Sequence, residues 1–219
     1  MRDKTKLTID AYNKNSYSYA DKFMYFNSYA KHAIEFAGLL MDGFKILDLG
    51  CGPGNVAKQL CALKRLEVTG IDLSSEMLEI ARINVPGGKF FLQDSRTANF
   101  PSEYFDAVVL SFSIVHLDDD EAYEVLANAA KWLREDGYLY LSFMEGKKPG
   151  FETTSFSSQP IFFNYFQATE IEDCLKDNGI DCFRRVRQDY LETDGSKTTD
   201  AFIFGKKRNT SYYKAGSID

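Results

Sequence analysis

Three alternating glycines follow a short apolar stretch that contains an acidic residue. The segment reads Ile46-Leu47-Asp48-Leu49-Gly50-Cys51-Gly52-Pro53-Gly54-Asn55, and a helical pattern begins at its end. Where a strand passes into a helix, main-chain N–H groups and the helix dipole attract a negative group, and glycines let the backbone approach it. A tight turn alone needs fewer glycines, so the spacing predicts a ligand-binding loop. Its candidate residues are Asp48, Gly50, Cys51, Gly52 and Gly54.

The residues around this loop restrict the kind of ligand. A nucleoside-triphosphate loop ends in Gly-Lys-Ser/Thr, whereas this one ends in Gly54-Asn55-Val56. A dinucleotide loop needs Gly or Ala at the position of Asn55, and the Asp48 carboxylate would lie near the pyrophosphate. An amino acid moiety fits better, because its carboxylate can meet main-chain N–H groups and its ammonium can meet Asp48 directly or through water.

A second acidic residue ends the next predicted strand. Asp72, in Gly70-Ile71-Asp72-Leu73, follows Gly50 by about 20 residues, where dinucleotide folds place the acid that accepts ribose hydroxyls. The alternative role, a helix cap, is better filled by Ser74. A ligand with an amino acid at one end, a ribose in the middle and no phosphate describes S-adenosylmethionine.

On these motifs the sequence resembles the class I, Rossmann-like S-adenosylmethionine-dependent methyltransferases. The resemblance is to the small-molecule branch that includes the ubiquinone and menaquinone biosynthesis enzymes, and it covers roughly residues 10 to 207. The family motif acidic-x-Gly-x-Gly-x-Gly is matched in full by Asp48, Gly50, Gly52 and Gly54. The resemblance implies a methyltransferase that moves a methyl group from S-adenosylmethionine to a small-molecule acceptor by in-line displacement, leaving S-adenosylhomocysteine.

The resemblance also implies roles for residues beyond the loop. Asp94 would accept the adenine amine beside Gln93 and Ser95, although a plain loop carboxylate is the alternative. Leu73 and Met77 would contact the adenine ring or simply pack under a helix. The segment Leu110 to Leu117 resembles the family's fourth motif, which would place Ser111 against the methionyl part of the cofactor.

The acceptor side is less specific. Tyr12 and Tyr19 match the family's entrance element, in which tyrosines close over cofactor and acceptor, with ordinary helix packing as the alternative. Phe163 and Tyr165 lie in the insert where relatives build the acceptor pocket. His116 is the candidate for proton transfer, with a hydrogen-bonded structural role as the alternative.

Composition excludes several other classes of function. The chain has 26 Lys and Arg against 32 Asp and Glu, a net charge of −6, which disfavours nucleic acid and anionic membrane surfaces. No stretch is apolar enough for a membrane span, and residues 1–10 lack the apolar core of a signal peptide. The four cysteines have no Cys-x-x-Cys spacing and there are only two histidines, so we expect no metal, no disulfide framework and a cytoplasmic protein. Separately, we expect a monomer or a homodimer.

The elements that must position these residues alternate between strand and helix patterns. Strands are predicted at 45–49, 67–71, 89–92, 105–111, 138–143, 181–192 and 199–206, with a turn at Thr193 to Ser196 between the last two. Helices are predicted at 55–63, 74–84, 119–133 and 169–178, the last with a Thr169/Glu172 capping box, and one is predicted over 8–40 with a break at Asn27-Ser28. A long loop fills 145–167.

This order predicts an α/β fold with a doubly wound, seven-stranded, mostly parallel sheet, a C-terminal antiparallel hairpin, and helices on both faces. We expect one domain, with residues 1–44 as an N-terminal helical lid, 45–207 as the S-adenosylmethionine-binding core and 208–219 as a polar tail. A non-catalytic S-adenosylmethionine-binding subunit or sensor is the main alternative to an enzyme. A nicotinamide-dependent oxidoreductase is disfavoured by Asn55 and Asp48.

Overall fold

The structure is a computed structural model that describes residues 3–191 and 197–209. Its helices are α1 (Asp3–Lys14), α2 (Ser16–Phe23), α3 (Asn27–Ala37), α4 (Asn55–Leu63), α5 (Ser75–Asn84), α6 (Asp119–Trp132) and α7 (Ala168–Asp177). Its strands are β1 (Lys45–Leu49), β2 (Glu67–Asp72), β3 (Lys89–Leu92), β4 (Phe105–Ser111), β5 (Leu133–Glu145), β6 (Gly150–Thr154), β7 (Ser157–Phe163), β8 (Ile180–Leu191) and β9 (Lys197–Lys207). None of these helices has the length and apolar character that crossing a bilayer requires.

Seven strands form one sheet in the order β3-β2-β1-β4-β5-β9-β8. Neighbouring strands from β3 through β5 are parallel, and β9 runs antiparallel to both β5 and β8. The predicted fold class and its C-terminal antiparallel strand pair are confirmed. The predicted turn at 193–196 lies outside the described residues, as does the tail from residue 210 onward.

The sheet is covered on both faces, because its central strands alternate apolar side chains between two cores. From β1, Leu47 and Leu49 join the core beneath α6 and α7, whereas Ile46 joins the core beneath α3, α4 and α5. From β4, Val108 and Val109 divide in the same way. This continuous apolar character is typical of a parallel strand buried on both sides.

The segment predicted as a long loop contains a hairpin, so that prediction is wrong. Strands β6 and β7 pair antiparallel in a separate two-stranded sheet, with an irregular register between Glu152 and Thr154. Pro160, which argues against a regular strand, lies in β7 opposite this irregularity. The hairpin packs against α1, where the Thr8 hydroxyl accepts the Phe162 N–H at 3.1 Å.

Element boundaries also differ from the sequence prediction in the N-terminal region and at the start of β5. The N-terminal region forms three helices rather than one with a break at Asn27-Ser28, because the chain already breaks after Lys14 and again after Phe23. Strand β5 begins at Leu133 rather than at 138, since an irregularity accommodates Asp136 at φ +61°.

The predicted capping box of α7 is also wrong. The helix begins at Ala168, not Thr169, and its N-cap residue Gln167 makes no side-chain capping bond. Instead the Ala168 N–H donates to the Glu145 carboxylate of β5 at 3.1 Å. A tertiary contact thus satisfies the helix start. In α5, by contrast, the Ser74 hydroxyl accepts the Met77 N–H at 3.2 Å, as its N-cap role predicts.

The glycines between β1 and α4 are required at their positions for different physical reasons. Gly50, Gly52 and Gly54 all have positive φ, of 67°, 51° and 76°. A Cβ on Gly50 would lie 2.4 Å from the Ser113 Cβ, whereas a Cβ on Gly52 would meet nothing within 4 Å. Gly50 is therefore required for both conformation and close approach, and Gly52 for conformation alone.

These two glycines give a matched prediction of stability. Gly52→Ala should lower the free energy of unfolding by about 1–2 kcal/mol, the usual penalty of a left-handed residue with a Cβ. Gly50→Ala should lose about 1–3 kcal/mol more, because the Ser113 side chain must also move. Urea unfolding measures both, and equal losses would show that the contact with Ser113 is unimportant.

Candidate ligand-binding site

A cleft lies at the carboxyl ends of β1, β2 and β4, where the chain order of the strands reverses. Open α/β sheets bind ligands at this crossover point. Helix α1 covers the cleft with Thr5, Thr8 and Ile9, and the space, together with the solvent at its mouth, is about 850 Å³. We call it the glycine-loop cleft. It is lined by the predicted residues Tyr12, Tyr19, Gly50, Gly52, Asp72, Leu73, Met77, Gln93, Asp94, Ser95, Ser111 and His116.

Asp72 is a carboxylate of the cleft that main-chain N–H groups hold on both oxygens. Its Oδ2 accepts the Gly52 N–H at 2.8 Å, and its Oδ1 accepts the Ser74 N–H at 2.8 Å. Burial raises the pKa of Asp72, and the hydrogen bonds from these N–H groups oppose that shift. Each carboxylate oxygen keeps a further lone pair. Asp72 is therefore held in position with capacity left to accept hydrogen bonds from a ligand.

Asp94 has a partner that sequence reasoning missed. Arg96 donates to it from Nε at 2.9 Å and from Nη2 at 2.6 Å, and also donates from Nη1 to Glu121 at 3.1 Å. Burial raises the pKa of Asp94, but its bonds with Arg96 outweigh that effect and lower the pKa overall. Asp94 lies beside Gln93 and Ser95 as predicted, and its role toward adenine stays a prediction.

Three predicted residues are not part of the cleft lining: Asp48, Cys51 and Gly54. Asp48 and Cys51 are 2% and 3% exposed, and Gly54 packs against Ala81. The Asp48 Oδ1 has no hydrogen-bond partner among the described residues. Burial, followed by repulsion from Asp72, raises the pKa of Asp48 to about 7.

The sequence predicts that main-chain N–H groups of the loop are free to bind a negative group, and the structure corrects this prediction. The N–H groups of Gly50 and Cys51 donate to the Ile71 carbonyl at 2.8 and 3.0 Å, and the Gly54 N–H donates to the Cys51 carbonyl. The Gly52 N–H is held by Asp72. These four N–H groups therefore stabilise the conformation of the loop through hydrogen bonds within the protein. A ligand carboxylate must find its donors elsewhere, and helix geometry leaves the first-turn N–H groups of α4 without intrahelical partners.

Tyr12 and His116 form a hydrogen-bonded pair where α1 meets the end of β4. The His116 Nδ1 lies 2.8 Å from the Phe162 carbonyl oxygen, which can only accept, so Nδ1 carries the proton. The neutral Nε2 then accepts the Tyr12 hydroxyl proton at 3.1 Å. Burial lowers the pKa of His116 to about 4, so the ring is neutral near pH 7.

A second space, the aromatic cavity, shares Tyr12, Tyr19, Ser111, Phe112 and His116 with the glycine-loop cleft. Together with open solvent at its mouth it is about 1060 Å³. Among the residues predicted for the acceptor, Tyr12, Tyr19, Phe163 and Tyr165 all line it. Phe156, another aromatic residue of the insert predicted to build the acceptor pocket, lines it too. Residues that the sequence prediction missed also line it: Lys22, Phe23, Tyr29, Gln59, Glu152, Thr198 and Asp200.

The missed residues had no local signal. Glu152 and Asp200 are isolated acids in strands, and Arg96 follows Asp94 by two positions in a segment without regular periodicity. Their roles depend on which distant segment packs against them. Within the part of the chain that the structure describes, no three His, Cys, Asp or Glu side chains come together as a set able to hold a metal ion.

Comparison with known proteins agrees with this geometry. Residues 46–137 match the family model of a methyltransferase domain. The chain is 37% identical over 101 residues to a demethylmenaquinone methyltransferase of Thermotoga maritima, covering 44% of this chain and 42% of the relative. It is 28% identical over 191 residues to a phosphoethanolamine N-methyltransferase of Triticum aestivum, covering 79% of this chain and 37% of the relative.

Solved structures share the fold at low sequence identity. A magnesium protoporphyrin IX methyltransferase of Synechocystis, solved with S-adenosylmethionine bound, has a TM-score of 0.66 at 19% identity and covers 94% of this chain and 98% of its own. A methyltransferase of Methanosarcina mazei has a TM-score of 0.69 at 18% identity, and the match covers 80% of this chain and 97% of that structure's chain.

The sheet order, the glycine loop and the family match define the class. The family match covers residues 46–137, and the sheet has the Rossmann-like order of the solved methyltransferases, which agrees with the resemblance to the class I S-adenosylmethionine-dependent methyltransferases. The aligned stretch spans less than half the length of each of the two curated relatives named above.

The ionisation of His116 can be measured directly. We expect its imidazole resonance to titrate near pH 4, because the folded protein lowers the pKa from its ordinary 6.5 by burial. The unfolded chain then binds more protons between these two values, so His116 makes stability fall as the pH falls through that window. Proton NMR with His116→Gln assigns the signal against His32, the other histidine. A midpoint near the ordinary value would contradict the neutral pair.

Proposed function

We propose that the chain transfers a methyl group from S-adenosylmethionine to a small-molecule acceptor by in-line displacement. The observation that carries this proposal is the junction of two spaces. The glycine-loop cleft and the aromatic cavity have five residues in common, among them Tyr12, Ser111 and His116. A cofactor in the first space and an acceptor in the second would meet at these residues.

The residues of the glycine-loop cleft fit S-adenosylmethionine. Asp72, fixed by two N–H groups, is suited to accept ribose hydroxyls. The partnerless Asp48 Oδ1 lies directly beneath the loop, where it could receive the amino group of the methionyl part through water. Leu73 and Met77 supply apolar surface beside Asp94 for the adenine. When bound, the cofactor supplies an electrophilic methyl group on a positively charged sulfur.

The protein's part in such a transfer is to position the acceptor and exclude water. Holding two reactants in line can lower a barrier by about 7–11 kcal/mol. His116 is poorly suited to store a proton, since its pKa of about 4 makes it a weak base. We propose that it instead orients Tyr12, whose hydroxyl would otherwise rotate freely at the junction. Tyr12 and Tyr19 are both half-buried, and the desolvation of their hydroxyls raises their pKa values and keeps them protonated.

Two observations support a small molecule as the acceptor: the size of the aromatic cavity, and the relatives that are named for small acceptors. One relative is named for demethylmenaquinone and another for phosphoethanolamine. The second name specifies nitrogen as the methylated atom and the first specifies none, so the names do not supply a single chemistry for this chain.

Calorimetry with S-adenosylmethionine, S-adenosylhomocysteine and NAD tests cofactor binding. Asp72→Ala should weaken binding of the first two by roughly ten- to a hundredfold, because it removes a charged acceptor of hydrogen bonds. Asp106→Ala is the matched control: Asp106 is a buried acid that also accepts a main-chain N–H, from Lys45 at 2.6 Å, but it lies at the opposite end of the strands. Equal affinity in Asp72→Ala, or preferred binding of NAD, would overturn the proposal.

The affinity for S-adenosylmethionine should also depend on pH through Asp48. Its pKa is raised to about 7, so it is largely neutral below that value and ionised above it. Between about pH 6 and about pH 7.5 we expect affinity to rise roughly five- to tenfold as the carboxylate forms, while the ligand's amino group stays protonated. Asp48→Asn should flatten this profile. An unchanged slope in that variant would assign the dependence to another group.

A further inference from the structure

Two carboxylates face the aromatic cavity from opposite structural units. Asp200 comes from β9 of the main sheet and is 2% exposed, and Glu152 comes from the β6–β7 hairpin and is about one-third exposed. The Tyr29 hydroxyl donates to Asp200 Oδ2 at 2.6 Å, and the Tyr165 hydroxyl donates to Glu152 Oε1 at 2.6 Å. Both acids are therefore oriented by a tyrosine of the cavity wall.

Two lysines lie near these acids or in the same cavity wall. Lys147 is 3.4 Å from Glu152 Oε2 and is about one-third exposed. Lys22 lines the cavity, where its ammonium contacts the Ser155 hydroxyl and lies 5.0 Å from the centre of the Phe23 ring. Of the charged side chains that line the cavity in the described part of the chain, two are the acids Glu152 and Asp200 and one is Lys22, whereas Lys147 lies outside the lining.

The cavity wall also contains a hydrogen-bond acceptor that has no donor among the described residues. The Gln59 Oε1 is buried and has no hydrogen-bond partner within the described part of the chain. The hydroxyl protons of Tyr29 and Tyr165 are already directed to carboxylates. An acceptor molecule that brings N–H groups would satisfy this wall, whereas an anionic molecule would meet two carboxylates.

Aromatic rings complete the surroundings near the junction. Phe156 is the centre of this group, with ring centroids 5.1 Å from Tyr19, 5.7 Å from Tyr12 and 6.0 Å from Phe23. The faces of such rings attract organic cations, and quaternary ammonium groups are recognised in this way. Carboxylates and ring faces around one space are complementary to the same charge.

We propose that the aromatic cavity selects a methyl acceptor that carries an amine, bound as its ammonium ion between Glu152, Asp200 and the rings around Phe156. This inference rests on the proposed function and names the class of acceptor. The amine nitrogen is the atom that receives the methyl group.

The transfer balances without a further reactant. The bound ammonium first releases one proton to water, which gives the nitrogen its lone pair. That pair forms the new N–C bond, the C–S bond breaks, and its electrons remain on the sulfur of the methyl donor as a neutral thioether. The product is a methylated ammonium ion, so the same carboxylates can hold it. The rate should therefore rise with pH as the free amine forms.

Binding of charged and neutral isosteres tests the selection. In protein saturated with S-adenosylhomocysteine, calorimetry compares benzyltrimethylammonium, benzyl alcohol and benzoate. We expect the cation to bind at least roughly tenfold more tightly than the other two, because ring faces and carboxylates both favour positive charge. Methyl transfer to benzylamine, at any rate above that to benzyl alcohol, is the matching activity measurement.

Two variants locate the cation. Glu152→Gln and Asp200→Asn should each weaken benzyltrimethylammonium roughly five- to tenfold. Glu172→Gln is the matched control for Glu152, since Glu172 is about as exposed and also pairs with a cation, Arg185 at 3.2 Å, but lies on α7 outside the cavity. Because Glu152 is partly exposed, Glu152→Gln should leave the fold intact, so this variant still tests the proposal if Asp200→Asn lowers the melting temperature.

The outcomes separate the two proposals. If the unsubstituted protein does not bind S-adenosylhomocysteine, the proposed function itself is overturned. Intact S-adenosylhomocysteine binding with benzyl alcohol or benzoate bound as tightly as the cation would overturn only the amine inference. The amine inference is also overturned if Glu152→Gln binds the cation as tightly as Glu172→Gln does.

Discussion

The Asp72 carboxylate joins the two halves of the cleft, and the rest of the site depends on it. One oxygen holds the Gly52 N–H of the first loop, and the other holds the Ser74 N–H at the start of α5. A buried carboxylate with no hydrogen bonds would be costly, so these donors are what permit it to remain there. Because they leave lone pairs toward the cleft, one residue both shapes the site and offers it a ligand contact.

Helix α1 is the second structural requirement, since it covers both spaces at once. Lys4 pairs with Asp118 and Glu121 at the start of α6, while Arg96 connects Glu121 to Asp94. These ion pairs are partly buried, so they are less screened than surface pairs. The N-terminal segment is thereby attached to the part of the cleft where adenine is proposed to lie.

The two spaces differ in electrostatic character although they share a wall. At the junction, His116 is neutral because burial disfavours its charged form, and Tyr12 remains protonated for the same reason. In the wall of the aromatic cavity, Glu152 and Asp200 each accept a hydrogen bond from a tyrosine hydroxyl. A neutral junction beside an acidic pocket suits a reaction in which charge moves from sulfur to an acceptor that is itself attracted as a cation.

The fold class, the glycine loop and the place of Asp72 could be predicted from the amino-acid sequence, because strand alternation, helix caps and positive-φ glycines are local in the chain. The family resemblance also placed Tyr12 and Tyr165 beside the acceptor space. The folded structure was needed to show that the loop N–H groups are consumed internally and that residues 145–167 contain a hairpin. It was needed as well to bring Glu152 and Asp200 into one cavity, because contacts between strands so far apart in the chain follow from packing and register, which no local pattern encodes.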